Sequence, residues 1–344
     1  MGRQGPKGAL AMNAVVLGAG GWGTAMAIHL ARRGHTVTLV PRRAEQALEL
    51  ADRRENREYL PGHFLDASIQ LGLELRPALM EADLVFLACP SGGLSSLCRD
   101  LVGALDRAQP PRLAVTLCKG LDRETLRRPS ELVLQALPGI PVATLTGPTN
   151  AEEVARGLPS AVVLAGNDAG ALAEAQPALS GPTLRAYTSS DLIGAEIGGA
   201  LKNVYALGSG MCDGLALGSN AKAALLTRSI HEMVRLGTAL GGKAETFLGL
   251  SGVGDLMATA HGGWSRNRGY GEELARDFRA AQAGLARRRT VVEGVWATQA
   301  FARIAADRAI DAPILMCLDA ILAGRLTPSD GVGRLMGRDL RSEA

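Results

Sequence analysis

The sequence predicts an α/β fold: an N-terminal doubly wound, mostly parallel sheet followed by an all-helical C-terminal domain. Three observations carry this. Short strand-like runs alternate with helical patterns through the first half of the chain, the rhythm of a sheet wound with helices. The middles of those runs are nearly all apolar, as strands covered on both faces require. After Asp191 the β-branched runs give way to Ala/Leu-rich helical periodicity. The expected domains are residues 12–190 for the sheet and 191–340 for the helices. Two domains suit a chain of 344 residues at ~150 residues per domain.

Taken in order, the expected strands are NAVVLG (13–18), TVTLV (36–40), ADLVFLACP (82–90), RLAVTLCKG (112–120), VATLTG (142–147), SAVVLAG (160–166) and LRAYTS (184–189). In the second domain, NAKAALLTRSIHEMVRLGTALG places Ala223, Leu226, Ile230, Met233 and Gly237 on one helical stripe. Asn220 is the expected N-cap and Gly241 the expected stop.

Composition narrows the function. With 37 basic and 34 acidic residues the net charge is +3, too weak to imply a nucleic-acid or membrane partner by bulk electrostatics. The run Arg287, Arg288, Arg289 reads as a solvated surface. The five cysteines are scattered, without a Cys-x-x-Cys pair or metal-ligand spacing, which suits a reducing compartment and predicts no metal site. No window approaches the ~18–20 apolar residues of a membrane span. Residues 1–11 read as an extension, with Met12 a second candidate start, and lack the apolar core of a signal peptide. A cytoplasmic protein is expected.

Gly18, Gly20 and Gly23 form G-x-G-x-x-G between the first strand and a helix running to about Arg33. In that setting the glycines permit a tight turn, approach of a pyrophosphate and helix–strand packing. The helix N-terminus offers amides to the phosphates. This Rossmann-type turn predicts a dinucleotide cofactor. The second strand then closes on Arg42 and Arg43, where NAD selection usually places a carboxylate. Guanidinium groups suit a 2′-phosphate, so NADPH is the expected preference, with NADH as second choice.

Four further segments set polar residues among glycines. LCKGLD places Lys119 at a strand's carboxyl end, where ligands of open α/β sheets bind. In LTGPTNAEEVARGLPSAV, Gly147 and Thr149 lie in a turn, and Thr149 or Asn150 can cap the helix that follows. That helix would present its N-terminal amides to a cofactor or anion. GGALKNVYALGSGMCDGL buries Lys202 in an apolar helix, costly unless the charge is paired or faces a cavity. LSGVGDLMATAHGGWSRNRGYG carries Asp255, then Ser265, Arg266 and Asn267 in what reads as a loop.

Together CKG, TGPTNAEEVARGLPSA, IGGALKNVYAL, CDGLALGSNAKAALLTRSIHEM, LSGVGDL, SRNRGYG and VVEG resemble the bacterial NAD(P)-dependent glycerol-3-phosphate dehydrogenases, over Asn13 to Leu335. The resemblance implies reduction of dihydroxyacetone phosphate to sn-glycerol 3-phosphate for phospholipid synthesis. It implies Lys202 as general acid/base and Lys119 beside nicotinamide and substrate, with Asp255 orienting Lys202. Gly147, Thr149, Asp255, Ser265, Arg266 and Asn267 would line the substrate. Gly18, Gly20, Gly21, Trp22, Gly23, Ala151, Arg266, Val291 and Glu293 would meet the cofactor. Three positions depart from the family pattern: Gly21 stands where Ser is usual, Cys118 where Ser or Thr is usual, and Asn150 where an aromatic is common. The partner is a small molecule, and the Gly-rich helical domain is expected to support a homodimer. The alternative is a related two-domain NADP-dependent reductase of a β-hydroxy acid or 2-ketopantoate, against which the phosphate-directed SRNR stretch argues.

Overall fold

β-branched and leucine-rich runs need partners for their backbone groups, and here they find them in one sheet. The computed structural model describes residues 11–105, 109–288, 290–340 and 342. Residues 1–10 of the expected extension, and Arg289 of the basic run, lie outside them. The strands are β1 (Asn13–Leu17), β2 (Thr36–Val40), β3 (Gln70–Leu71), β4 (Leu84–Leu87), β5 (Leu113–Thr116), β6 (Val142–Thr146), β7 (Ser160–Gly166) and β8 (Leu184–Ser189). Their order is β3-β2-β1-β4-β5-β6-β7-β8. The β6–β7 pair is antiparallel and the other pairs are parallel.

Successive residues of a strand face opposite sides, and β1 shows the consequence. Ala14 and Val16 enter one core with Met26, Leu30, Val154 and Leu179. Val15 and Leu17 enter the other with Leu79, Leu94, Leu101 and Val133. Each such side chain contributes roughly 1.5–3 kcal/mol by leaving water, which is why both faces of the sheet are covered.

Two expected strands are shorter than their apolar runs. β4 stops at Leu87 and β5 at Thr116, so Cys89, Pro90 and Cys118 to Gly120 leave the sheet as loops. Pro90, having no N–H, cannot continue a ladder. The two-residue β3 was not expected, being too short to show a period.

The chain divides into two compact units at Glu196/Ile197. In the second, helix Gly218–Ala239 buries Leu226, Ser229, Glu232, Met233, Leu236 and Gly237. The expected stripe is thus displaced at its start, with Ala223 exposed and Ile230 half-buried. Asn220 is not the cap, because the helix already begins at Gly218. Glu232 accepts the backbone N–H groups of Ile314 (2.9 Å) and Leu315 (2.8 Å) and the Tyr205 hydroxyl (3.3 Å). It thereby caps helix Pro313–Leu322, while burial pushes its carboxyl pKa up. Among the described residues no helix is long and apolar enough to cross a membrane.

Replacing Glu232 with Ala strands two buried amides and a phenol, at about 1–3 kcal/mol for each unmet group. A net loss of about 3 kcal/mol would lower the melting temperature by roughly 6–12 °C. Calorimetry would show it, and a shift below about 2 °C would remove Glu232 from this role.

Candidate active site

After Leu17 the chain must reverse into helix Gly21–Arg32 within three residues. Gly18 does this at φ +112°, its N–H donating to the Val40 carbonyl at 2.8 Å. A Cβ on Gly18 would lie 2.4 Å from the Ala88 oxygen, and one on Gly23 would lie 2.0 Å from the Gly18 oxygen. Those two glycines are required by close backbone approach. Gly20 differs, because a Cβ there would meet nothing within 4 Å. Its backbone faces open space. The helix starts without a side-chain cap or an acidic residue in its first turn, leaving amides and the positive end of the dipole for an anion. Trp22 is half-buried, and its Nε1 has no hydrogen-bond partner among the described residues. Open backbone and an uncapped helix start both fit a dinucleotide's phosphates.

The Gly21 departure has a structural cause. A Cβ there would lie 2.9 Å from the Tyr59 carbonyl oxygen. The loop carrying Tyr59 is pinned over the turn by Asn56, whose Nδ2 donates to the Ala19 oxygen (2.9 Å) and Thr24 Oγ1 (2.7 Å). Ala151 lies on the other side, its Cβ 3.7 Å from the same point.

The same loop corrects the reading of the second strand's end. Arg42 is exposed and forms no ion pair among the described residues, as expected for a phosphate ligand. Arg43 instead meets Glu58, Nη2 to Oε2 at 2.7 Å. The expectation that no carboxylate stands there is wrong: the folded chain brings one from 15 residues downstream. Nothing in the local pattern of residues 54–62 announces that path.

Lys119, Gly147 and Thr149 come together as predicted. Lys119 Nζ donates to the Gly147 carbonyl (2.9 Å) and to Thr149 Oγ1 (2.8 Å). Gly147 presents that carbonyl from φ +123°. The helix that follows, Ala151–Arg156, does not offer free amides as expected. Asn150 Oδ1 already accepts the N–H groups of Glu152 (2.8 Å) and Glu153 (3.2 Å). The residue that replaces an aromatic is thus the cap.

In the helical unit, Lys202 is 5% exposed and Asp255 1%. Nζ lies 2.9 Å from Asp255 Oδ1 and donates to Thr259 Oγ1 at 2.7 Å. A π-helical turn, Leu250–Gly254, delivers Asp255 to this position; such widened turns recur at functional sites. Thr259 follows one helical turn later and was missed from sequence, where a Thr in a helix carries no signal.

The SRNR stretch is not a loop. Ser265 is the buried N-cap of helix Arg266–Arg276, its Oγ accepting the Arg268 N–H at 3.2 Å. Asn267 ties three segments: Nδ2 donates to Asn203 Oδ1 (2.8 Å) and Oδ1 accepts the Gly294 N–H (2.9 Å). Arg268 is committed to Asp213 at 2.7 Å. Arg266 stands exposed at the first helical position. Surrounding protein dehydrates its guanidinium and lowers its pKa, with Glu293 acting in the opposite sense. An arginine nevertheless stays charged. Val291 and Glu293 are half-buried at the start of helix Glu293–Asp307.

Two family profiles match the chain. NAD-dependent glycerol-3-phosphate dehydrogenase N-terminus matches residues 13–172 and the corresponding C-terminus matches 191–333. A glycerol-3-phosphate dehydrogenase (NAD(P)+) of Deinococcus radiodurans is 45% identical over 329 residues, covering 95% of this chain and 96% of that protein. One from Thermus thermophilus is 46% identical over 336 residues, covering 96% and 100%. The crystal structure of glycerol-3-phosphate dehydrogenase from Coxiella burnetii superposes with a TM-score of 0.88 at 34% identity, covering 95% of this chain and 99% of that one.

Gly21→Ser, which restores the residue usual in the family, is expected to destabilise this chain. Its Cβ would displace the Tyr59 backbone, at about 1–3 kcal/mol for overpacking. Thermal unfolding together with protease sensitivity of residues 54–62 would measure it. A variant as stable as the parent would show that the loop yields freely.

Proposed function

We infer the reaction from one premise: the chain belongs to the NAD-dependent glycerol-3-phosphate dehydrogenase family. It reduces dihydroxyacetone phosphate reversibly to sn-glycerol 3-phosphate, with NADPH preferred and NADH accepted, and so supplies glycerophospholipid synthesis. The sheet domain, residues 12–190, holds the dinucleotide, and the helical domain, 191–340, holds the substrate. The observation that carries this reading is the buried Lys202 ammonium fixed between Asp255 and Thr259.

When bound, the nicotinamide supplies a hydride to the carbonyl carbon. Negative charge then builds on the carbonyl oxygen, and Lys202 Nζ stabilises it and donates the proton that completes the alcohol. Asp255 and Thr259 hold that ammonium in one place, so little reorganisation is needed when charge develops. Lys119, oriented by Gly147 and Thr149, adds a second cation beside the reacting centre. Arg266 and the N-terminus of its helix receive the substrate's phosphate dianion. Ser265 caps that helix start and Asn267 ties it to Gly294, which keeps the phosphate end in register. Val291 and Glu293 face the nicotinamide. Gly18, Gly20, Gly21, Trp22, Gly23 and Ala151 meet the cofactor, and Arg42 faces its 2′-phosphate with Arg43 beside it, drawn to Glu58. We read the enzyme as a cytoplasmic homodimer.

Lys202→Ala is expected to lower kcat with dihydroxyacetone phosphate by ~10²–10⁴-fold while NADPH binding persists. Because it leaves Asp255 buried without its cation, Asp255→Asn and a melting curve accompany it. Near-normal turnover by Lys202→Ala would end the assignment. The parent chain should oxidise NADPH with dihydroxyacetone phosphate and not with 2-ketopantoate; the reverse preference would replace the reaction itself.

A further inference from the structure

The carboxyl end of β2 is where this class of turn distinguishes a ribose 2′-hydroxyl from a 2′-phosphate. Read as sequence, that end holds two arginines and nothing acidic. Folded, it holds groups of both signs. Arg42 is exposed there. Arg43 Nη2 lies 2.7 Å from Glu58 Oε2. Glu58 is held in place because its loop is pinned to the phosphate turn through Asn56, and Tyr59 N–H in turn donates to Asn56 Oδ1 at 3.3 Å.

We propose that Glu58 sets the balance between NADPH and NADH in this chain, by holding Arg43 away from a 2′-phosphate and by offering an acceptor to a 2′-hydroxyl. The proposal rests on the dinucleotide reading of the turn and names the residue that tunes it. Arg43 and Glu58 are 48% and 32% exposed in their side chains, so their ion pair is weak and exchangeable. A 2′-phosphate takes Arg42 directly. It draws Arg43 only by parting it from Glu58, and the freed carboxylate then repels the dianion. NADH meets the opposite situation, since a carboxylate is the group that selects its free ribose. The arginines favour NADPH, and Glu58 limits how far.

The test is direct binding of NADPH and of NADH to the full chain, followed by fluorescence titration. Glu58→Gln keeps the side chain's size and removes its charge. It should tighten NADPH and weaken NADH, shifting the ratio of their Kd values by about tenfold or more. Arg43→Ala should cost little NADPH affinity in the parent and about tenfold in the Glu58→Gln background, because only there is Arg43 released. Glu49→Gln, which removes the charge that meets Arg53 on the neighbouring helix, should leave the ratio unchanged. A ratio within twofold of the parent's, or an equal Arg43→Ala cost in both backgrounds, overturns the proposal. Normal reduction of dihydroxyacetone phosphate with an unshifted ratio rejects Glu58 alone. A shifted ratio without turnover of dihydroxyacetone phosphate rejects the reaction and keeps Glu58.

Discussion

The buried contact between Lys202 and Asp255 is the constraint around which the helical unit is arranged. Two charges taken from water cost several kcal/mol each, and their mutual attraction repays this only in good geometry. An apolar pair of the same volume would be at least as stable. The fold nevertheless spends a π-helical turn on delivering Asp255 and a threonine hydroxyl on completing the ammonium's shell. The proposed role of Lys202 as a positioned proton donor accounts for this arrangement, which stability alone does not.

Close backbone approach is the second device, and it serves both units. With 43 glycines and only 3% aromatic residues, this chain packs main chain against main chain where others use large side chains. At the phosphate turn, Gly18 and Gly23 bring helix and strand into contact and leave Gly20 open above them. In the helical unit, Gly210 sits where a Cβ would fall 1.8 Å from the Arg268 oxygen. Helix Leu192–Gly214, which carries Lys202, therefore lies directly against helix Arg266–Arg276, which starts at the expected phosphate ligand.

What could be read from sequence follows the range over which each signal acts. Apolar runs of five to seven residues located β1, β2, β6, β7 and β8 closely, because a strand's period is local. The ends of β4 and β5 were overextended, since apolar character continues past the point where Pro90 and the Lys119 loop leave the ladder. The family-typical motifs identified Lys119, Gly147 and Thr149 as a group, and likewise Lys202 and Asp255. Their partners were less visible. Glu58 reaches Arg43 through a loop without periodicity. Thr259 looks like any helical threonine. The polar run at residues 265–268 read as a loop because capping, which consumes Ser265, looks the same in sequence as solvation.

The ion pairs add a last step. Lys202 has Asp255, Arg43 has Glu58, Arg268 has Asp213 and Arg128 has Glu196. A paired cation is fixed in geometry, and its partner offsets part of its charge. Lys119 donates to a carbonyl and a hydroxyl, and Arg42 and Arg266 stand exposed. Those two arginines, on a chain whose net balance is only +3, stand at the end of β2 and at the start of helix Arg266–Arg276. In the proposed reaction the first would meet a 2′-phosphate and the second the substrate's phosphate ester. Bulk charge could not have revealed this, because it does not say which cations the fold commits to partners.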